Sequence, residues 1–300
     1  MAKTVHIEAC PVCEGKEFKT FLSCSDLSVS SEKFDICKCA DCGFAFTQDF
    51  PAESEIGKYY ESNDYVSHSD THEGLINKLY HQVRKIALRG KAKTVERYSS
   101  AEASTLLDVG SATGYFLNEM CRCKWVVTGV EVSDGARAFA KQKFDLDTQD
   151  AEYLYKIKEG NKDVITMWHV LEHMEDLNKV MARLHRILKD DGIAVIALPN
   201  KDSYDAQAYG EYWAAYDVPR HLWHFSPDDF TRFATKHDFE VVAIKPMYFD
   251  SFYISMLSEK YKGTFCGSLV GLMKGGIYFL KNLANHRGSS SLTYILKKKK

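Results

Sequence analysis

From residue 105 onward the chain alternates short apolar runs with amphipathic stretches. The runs LLDV (106–109), VVTGVEV (126–132), DVITMWH (163–169), IAVIALP (193–199) and EVVAIKPM (240–247) carry little polar alternation, and a weaker one lies near 145–149. Between them, residues near 114–123, 134–143, 176–189 and 227–237 read as helices. Strands buried on both faces and joined by helices predict a parallel sheet with helices on either side, a doubly wound α/β domain. Upstream, Ile76, Leu79, Tyr80, Val83, Ile86 and Ala87 recur at three-and-four spacing, which predicts one buried helical face within a connector over 51–104. SSAEAS (99–104) forms the soft boundary to the main domain at 105–300.

The front end, 1–50, is organised differently. Cys10-Pro-Val-Cys13 and Cys39-Ala-Asp-Cys42 are two C-x-x-C turns separated by the 25 residues from Glu14 to Lys38. Each turn presents two thiolates from one tight loop, so two turns close a tetrahedral zinc site of the zinc-ribbon type. Cys37 also precedes Cys42, but only Cys39 has the two-residue spacing. Four thiolates leave no open coordination position, which makes the expected zinc structural. EFKTFL and EKFDICKC read as short strands that need the metal for stability.

Composition narrows the function classes. With 300 residues and 45% hydrophobic positions the chain is globular, and a formal charge of -2 offers no long-range field to a polyanion, so no nucleic-acid partner is expected. The first residues lack a signal-peptide layout, and Lys274 and Lys281 interrupt the greasiest region, so a cytoplasmic location is expected. Nine cysteines cannot all pair, which fits thiols and metal ligands in a reducing compartment.

The candidate chemistry starts at LLDVGSATGYFL (106–117), where a strand ends on glycine and a helix opens, presenting backbone N–H groups and a positive dipole end to a ligand. Glu131 follows Gly110 by 21 residues, where a dinucleotide or S-adenosylmethionine would use an acid for its ribose hydroxyls. Two details separate these ligands. Gly110-Ser-Ala-Thr-Gly114 lacks the middle glycine of the dinucleotide fingerprint, and Asp108 places a carboxylate where that fold wants an apolar residue. An acid there suits a ligand with an ammonium group, such as the amino-acid end of S-adenosylmethionine.

In CPVC, CADCGFAFTQDFP, LLDVGSATGYFL, VTGVEVS, DAEYL, DVITMWHVLEHMEDL, LKDDGIAVIALPN and YWAAYDVPRHLWHFSP, taken in order, the chain resembles the class I S-adenosylmethionine-dependent methyltransferases. Within them it resembles the bacterial small-molecule group with an N-terminal zinc ribbon, and the likeness covers most of the chain. It implies a Rossmann-like, mostly parallel seven-stranded sheet whose last strand, in LTYILKKKK, inserts antiparallel after a helical excursion at 250–290. It also implies S-adenosylmethionine as cofactor. Asp108, Gly110 and Gly114 would hold the methionine portion with Tyr115 and Phe116 nearby, Glu131 the ribose, Val132 and Asp150 the adenine, while Trp168 and His169 would face the methyl group. Ala112 stands where the family has glycine, for which weaker cofactor binding is the expected consequence.

His169-Val-Leu-Glu172-His173 matches H-x-x-E-H, a zinc-peptidase pattern, but here it follows a strand instead of lying inside a long helix. The spot also resembles the acid-rich site by which some quinone O-methyltransferases recruit a divalent ion, with His169 in place of the first carboxylate. The segment 199–226 is too long and aromatic for a plain link and leaves the ligand side of the sheet, which makes it the candidate acceptor site for a small molecule. Within it Tyr209, Trp213, Tyr216, Arg220, His221 and His224 supply stacking surface, charge and bases, so His169, His221, His224 and Tyr209 are the catalytic candidates. Tyr59, Tyr60, Tyr65 and His68 are candidates for a lid. The apolar, glycine-rich stretch 250–290 suggests internal packing or a dimer contact in a monomeric or homodimeric protein, with an anionic membrane surface as the alternative. The competing functions are a zinc-ribbon RNA methyltransferase and a non-catalytic S-adenosylmethionine-binding protein. The first lacks an Asn/Asp-Pro-Pro-aromatic turn after the fourth strand.

Overall fold

The structure, a computed structural model, describes residues 3–60 and 75–300, with side chains from residue 82 on in its first long helix. Tyr65 and His68 of the expected lid, and the side chains of Ile76, Leu79 and Tyr80, lie outside the described residues. The front end contains β1 (Thr4–Val5), β2 (Phe18–Ser25), β3 (Lys33–Cys39), β4 (Ala45–Thr47) and β5 (Phe50–Pro51). After α1 (Leu75–Tyr98) come β6 (Thr105–Val109), α2 (Tyr115–Arg122), β7 (Val126–Val130), α3 (Asp134–Phe144), α4 (Tyr153–Lys156), β8 (Lys162–Trp168), α5 (Leu177–Ile187) and β9 (Leu188–Pro199). The chain ends with α6 (Tyr204–Tyr209), β10 (Trp223–His224), α7 (Pro227–Lys236), β11 (Phe239–Pro246), α8 (Asp250–Tyr261), α9 (Gly267–Ala284) and β12 (Ser291–Lys298).

The main sheet has the order β11-β12-β9-β8-β6-β7. Strands β7, β6, β8 and β9 are parallel, and β12 runs antiparallel between β9 and β11. Alternation along the strands sends Leu107, Ile165, Ala194 and Ile196 to one buried face and Leu106, Val164, Ile193 and Val195 to the other. Residues Val180, Met181 and Leu184 of α5 and Phe230 and Phe233 of α7 cover the first face. Ala92 and Val95 of α1 with Phe116, Leu117 and Met120 of α2 cover the second, so the helix expected as a connector forms part of the domain wall. Each fully buried Leu or Ile contributes about 1.5–3 kcal/mol. Side chains of Ser133, Asp176 and Ser226 cap α3, α5 and α7, the last with a full capping box and Pro227 at its start.

The expected seventh strand is reduced to a single parallel bridge between Val130 and Gln149. Asp147, Thr148 and Asp150 around it leave no apolar run to bury. The ribbon joins the rest of the molecule more closely than its separate composition suggests. Its sheet has the order β10-β4-β3-β2, and β10 comes from the 199–226 segment, pairing Trp223 with Phe46 and His224 with Ala45. Phe44, Phe46 and Phe50 share one core with Trp223, Phe225 and the main sheet. Helices α8 and α9 pack as a hairpin, where a Cβ on Gly271 would collide with the backbone of Met256 and one on Gly275 with that of Phe252. Glycine at both positions permits this close approach. No helix among the described residues is long and apolar enough to cross a membrane.

Candidate functional site

The carboxyl ends of β6, β7 and β8 meet at one edge of the sheet. Asp108 is buried there, and its Oδ1 accepts a hydrogen bond from Thr166 Oγ1 at 2.6 Å. Burial pushes the Asp108 carboxyl up to about 7, against the pull of Thr166 and of Lys91. Lys91 was not singled out from the sequence. It interrupts the apolar face formed by Leu88, Ala92 and Val95 on α1, and its ammonium lies 4.4 Å from the centre of the Trp168 ring. Burial lowers its pKa, while Asp108 and Asp250 oppose that shift.

Gly110 has φ 71°, and a Cβ there would strike Val170, so the strand end can turn only as glycine. The loop's amides are less available than the sequence suggests. Those of Gly110 and Ser111 donate to the Val130 carbonyl at 2.8 and 3.0 Å, and that of Gly114 donates to the Ser111 carbonyl. Ala112 adopts the left-handed conformation with φ 45°, and its N–H donates to Glu131 Oε2 at 2.8 Å. Glu131 Oε1 accepts from the Ser133 N–H, so this buried carboxylate braces the loop. What the edge offers a ligand is therefore its shape and two carboxylates more than bare amides. Val132 is widely exposed beside it, and Asp150, also exposed, accepts from the Tyr153 N–H. Phe116 packs edge-on to Trp168, whereas Tyr115 turns onto Phe144 of α3.

A titratable cluster follows β8. His169, at φ 59°, lies between two carboxylates, with Nδ1 3.4 Å from Glu172 Oε1 and Nε2 3.4 Å from Asp250 Oδ2. Burial would lower its pKa, but the two acids outweigh that and carry it up to about 9. Glu172 is fully buried, and neither of its oxygens has a normal hydrogen-bond donor among the described residues. His173 and His221 face it, and donor atoms from the three side chains all lie within 4.8 Å of one another. His173 Nδ1 donates to the Arg220 carbonyl at 3.0 Å and His221 Nδ1 to the Ala215 carbonyl at 2.9 Å, which leaves the lone pair of each ring on Nε2. Burial, with His221 beside it, pushes His173 down to about 4. Such a set can share a proton or hold a divalent cation. Tyr60 reaches the same place, its hydroxyl 3.1 Å from His173 Nδ1.

Other predicted residues are placed elsewhere. His224 lies in β10 with Nε2 3.0 Å from Thr47 Oγ1, and burial holds its pKa well below the usual range. Tyr209 packs against Tyr278 of α9 with the Lys274 ammonium over its ring. Trp213 donates to Asp205, and Tyr216 stacks edge-on to both Trp213 and His224. Tyr59 is buried and donates to Glu32. Arg220 is fully buried and donates to Asp26, Asp217, Ser28 and the Tyr59 carbonyl, fastening the segment to the ribbon. The structure thus brings His169 and His221 together and leaves His224 and Tyr209 outside that cluster.

At the front end, sulfurs of Cys10, Cys13, Cys39 and Cys42 gather within 4.8 Å. Cys10 and Cys42 are 3.6 Å apart and Cys13 and Cys39 3.5 Å. A tetrahedron with metal–sulfur bonds of about 2.3 Å has edges of roughly 3.8 Å, so the set fits a zinc ion. Burial pushes the Cys10 thiol up and that of Cys42 to about 11, whereas at Cys13 the Gly15 amide and the neighbouring sulfurs outweigh burial and lower it, so Cys10 and Cys42 are the two that need a cation to be thiolates. Cys37 and Cys24 stand outside the group.

The sequence profile of a family described as "Methyltransferase domain" matches residues 80–244, more than half of the chain. A ubiquinone biosynthesis O-methyltransferase from Glaesserella parasuis is 24% identical over 165 residues, 48% of this chain and 69% of the relative. Another from Caulobacter vibrioides is 30% identical over 107 residues, 33% of this chain and 42% of the relative. Among solved structures, a chain from the complex of the Haloferax volcanii Trm112 methyltransferase activator with a protein described as a methyltransferase aligns with a TM-score of 0.52 at 15% identity. That alignment covers 73% of this chain and 92% of the other, and it speaks to the fold alone.

Proposed function

Because the chain belongs to the methyltransferase-domain family and is an S-adenosylmethionine-dependent methyltransferase, we propose that it methylates a small-molecule acceptor held over the His169–Glu172–His221 cluster by the 199–226 segment. The observation that carries this reading is Glu172, a buried carboxylate without a normal donor, set between imidazoles beside the ligand edge of the sheet. When bound, S-adenosylmethionine supplies an electrophilic methyl group on a sulfonium.

The chain's own residues align, desolvate and move a proton. Asp108 pairs with the ammonium of the methionine portion, and Glu131 accepts from the ribose hydroxyls. His169 is an imidazolium at neutral pH and is therefore a fixed positive centre, not a base. His221, whose Nδ1–H is committed to Ala215, presents the Nε2 lone pair to the acceptor. Once it takes the proton, Glu172 stabilises the resulting imidazolium. A second reading, in which Glu172, His173 and His221 hold a divalent cation, is favoured by the same geometry, and chelator treatment separates the two: the base reading expects undiminished turnover.

Labelled cofactor incubated with fractionated cell extract tests the function. Label in a low-molecular-weight product is expected, whereas label confined to RNA would replace this reading with the nucleic-acid alternative. Glu131→Ala should weaken binding of S-adenosylhomocysteine by roughly 10–100-fold, the value of one hydrogen bond to a charged group. Asp108 protonates as pH falls through about 7, so affinity should also drop between pH 8 and pH 6; calorimetric titration at both values reads it. We further propose one structural zinc per chain. Elemental analysis should find it, and Cys39→Ser should lower the content while Cys37→Ser leaves it intact.

A further inference from the structure

The hairpin of α8 and α9 leaves a continuous apolar stripe open. Leu269, Leu272, Met273, Ile277, Leu280 and Leu283 are all exposed along about four turns of α9. Phe265, 92% exposed, stands at the head of the stripe. The acids of the hairpin are turned inward, Asp250 onto His169 and Glu259 onto Lys274, so the charges it shows outward include Lys260, Lys262 and Lys281 but no carboxylate. At the foot of the stripe lies a cavity of about 350 Å³ lined by Lys93, Arg97, Tyr98, Lys245, Tyr248 and His286, with no acid among the described residues of its wall. The two features are continuous. Tyr248 bonds His286 at 3.0 Å and packs on Phe279, which lies one helical turn from Leu283.

We propose that this face lies on an anionic lipid surface, with the stripe in the acyl boundary and the basic cavity on a phosphate headgroup. A second copy of the chain fits less well, since a two-fold contact along the stripe would bring the same lysines face to face. Apolar contact and basic charge add on a membrane that carries negative headgroups. The inference is independent of the acceptor chemistry proposed above.

Co-sedimentation of the full chain with vesicles tests it. The protein should pellet with phosphatidylcholine–phosphatidylglycerol vesicles, much less with phosphatidylcholine alone, and less at high salt. The double variant Ile277→Glu/Leu280→Glu, at exposed positions, should bind roughly tenfold or more weakly with an unchanged melting curve. Lys245→Glu should erase the preference for phosphatidylglycerol. Absent pelleting, indifference to lipid charge, or full binding by the double variant overturns the proposal. So does a concentration-dependent dimer in sedimentation velocity that the double variant abolishes, because that assigns the face to a second copy.

Discussion

Arg220→Ala should cost about 3–5 kcal/mol of folding stability, the range for breaking a buried ion pair from one side. The guanidinium is buried and donates to Asp26 Oδ1 at 3.0 Å, to Asp217 Oδ1 at 2.6 Å, to Ser28 Oγ at 2.5 Å and to the Tyr59 carbonyl at 2.7 Å. Removing it strands the fully buried Asp26 carboxylate without its counter-charge, and burying an unpaired charge is what makes such truncations severe. Asp26 would keep its amide donors from the turn at Ser28–Ser30, so Arg220→Lys, which retains the charge but loses the planar fork, should fall between the two. Denaturant unfolding of the three proteins measures this. A loss below about 1 kcal/mol for Arg220→Ala would mean that the ribbon and the 199–226 segment are held by apolar packing alone.

The second large effect concerns turnover. His221→Ala should lower methyl transfer by about 10²–10⁴-fold, the usual contribution of a positioned general base, while leaving cofactor affinity within about twofold. The expectation rests on tautomer and placement together: the Ala215 carbonyl fixes the proton on Nδ1, and Glu172 waits within reach to balance the charge the ring acquires. Single-turnover rates with labelled cofactor and the acceptor found in extract check it. Equal turnover in both proteins would move the base elsewhere or remove the need for one.

Local patterns in the sequence exposed most of the fold. Apolar runs such as DVITMWH and IAVIALP are short, rich in Val and Ile and bounded by turns, which favours a buried strand, and the two C-x-x-C turns declare their own geometry, so β8, β9 and the four-sulfur group were legible. The order Asp108, Gly110, Gly114, Glu131 likewise predicts a turn at the carboxyl edge of the sheet, and the structure puts Gly110 at φ 71° there with Glu131 bonded to the loop through the Ala112 N–H. Long-range partners left no such trace. Arg220 meets Asp26 across 194 residues, and Asp250 meets His169 from a helix whose own sequence looked merely apolar. Strand β10 is two residues long, too short for a period, yet it joins the acceptor segment to the ribbon. An aromatic loop near the carboxyl edge of the sheet singles out Tyr209 and His224 by type, but not their neighbours: Tyr209 packs on Tyr278 of α9, and His224 pairs with Ala45 of β4. Lys91 could have been found as the charge within an apolar helical face.

Calorimetric titration of the purified chain with S-adenosylhomocysteine and, separately, with a nicotinamide dinucleotide bears most directly on the ligand edge beside Asp108. One saturable site for the first and none for the second is the predicted result. Saturable binding of the dinucleotide with no response to S-adenosylhomocysteine would contradict it.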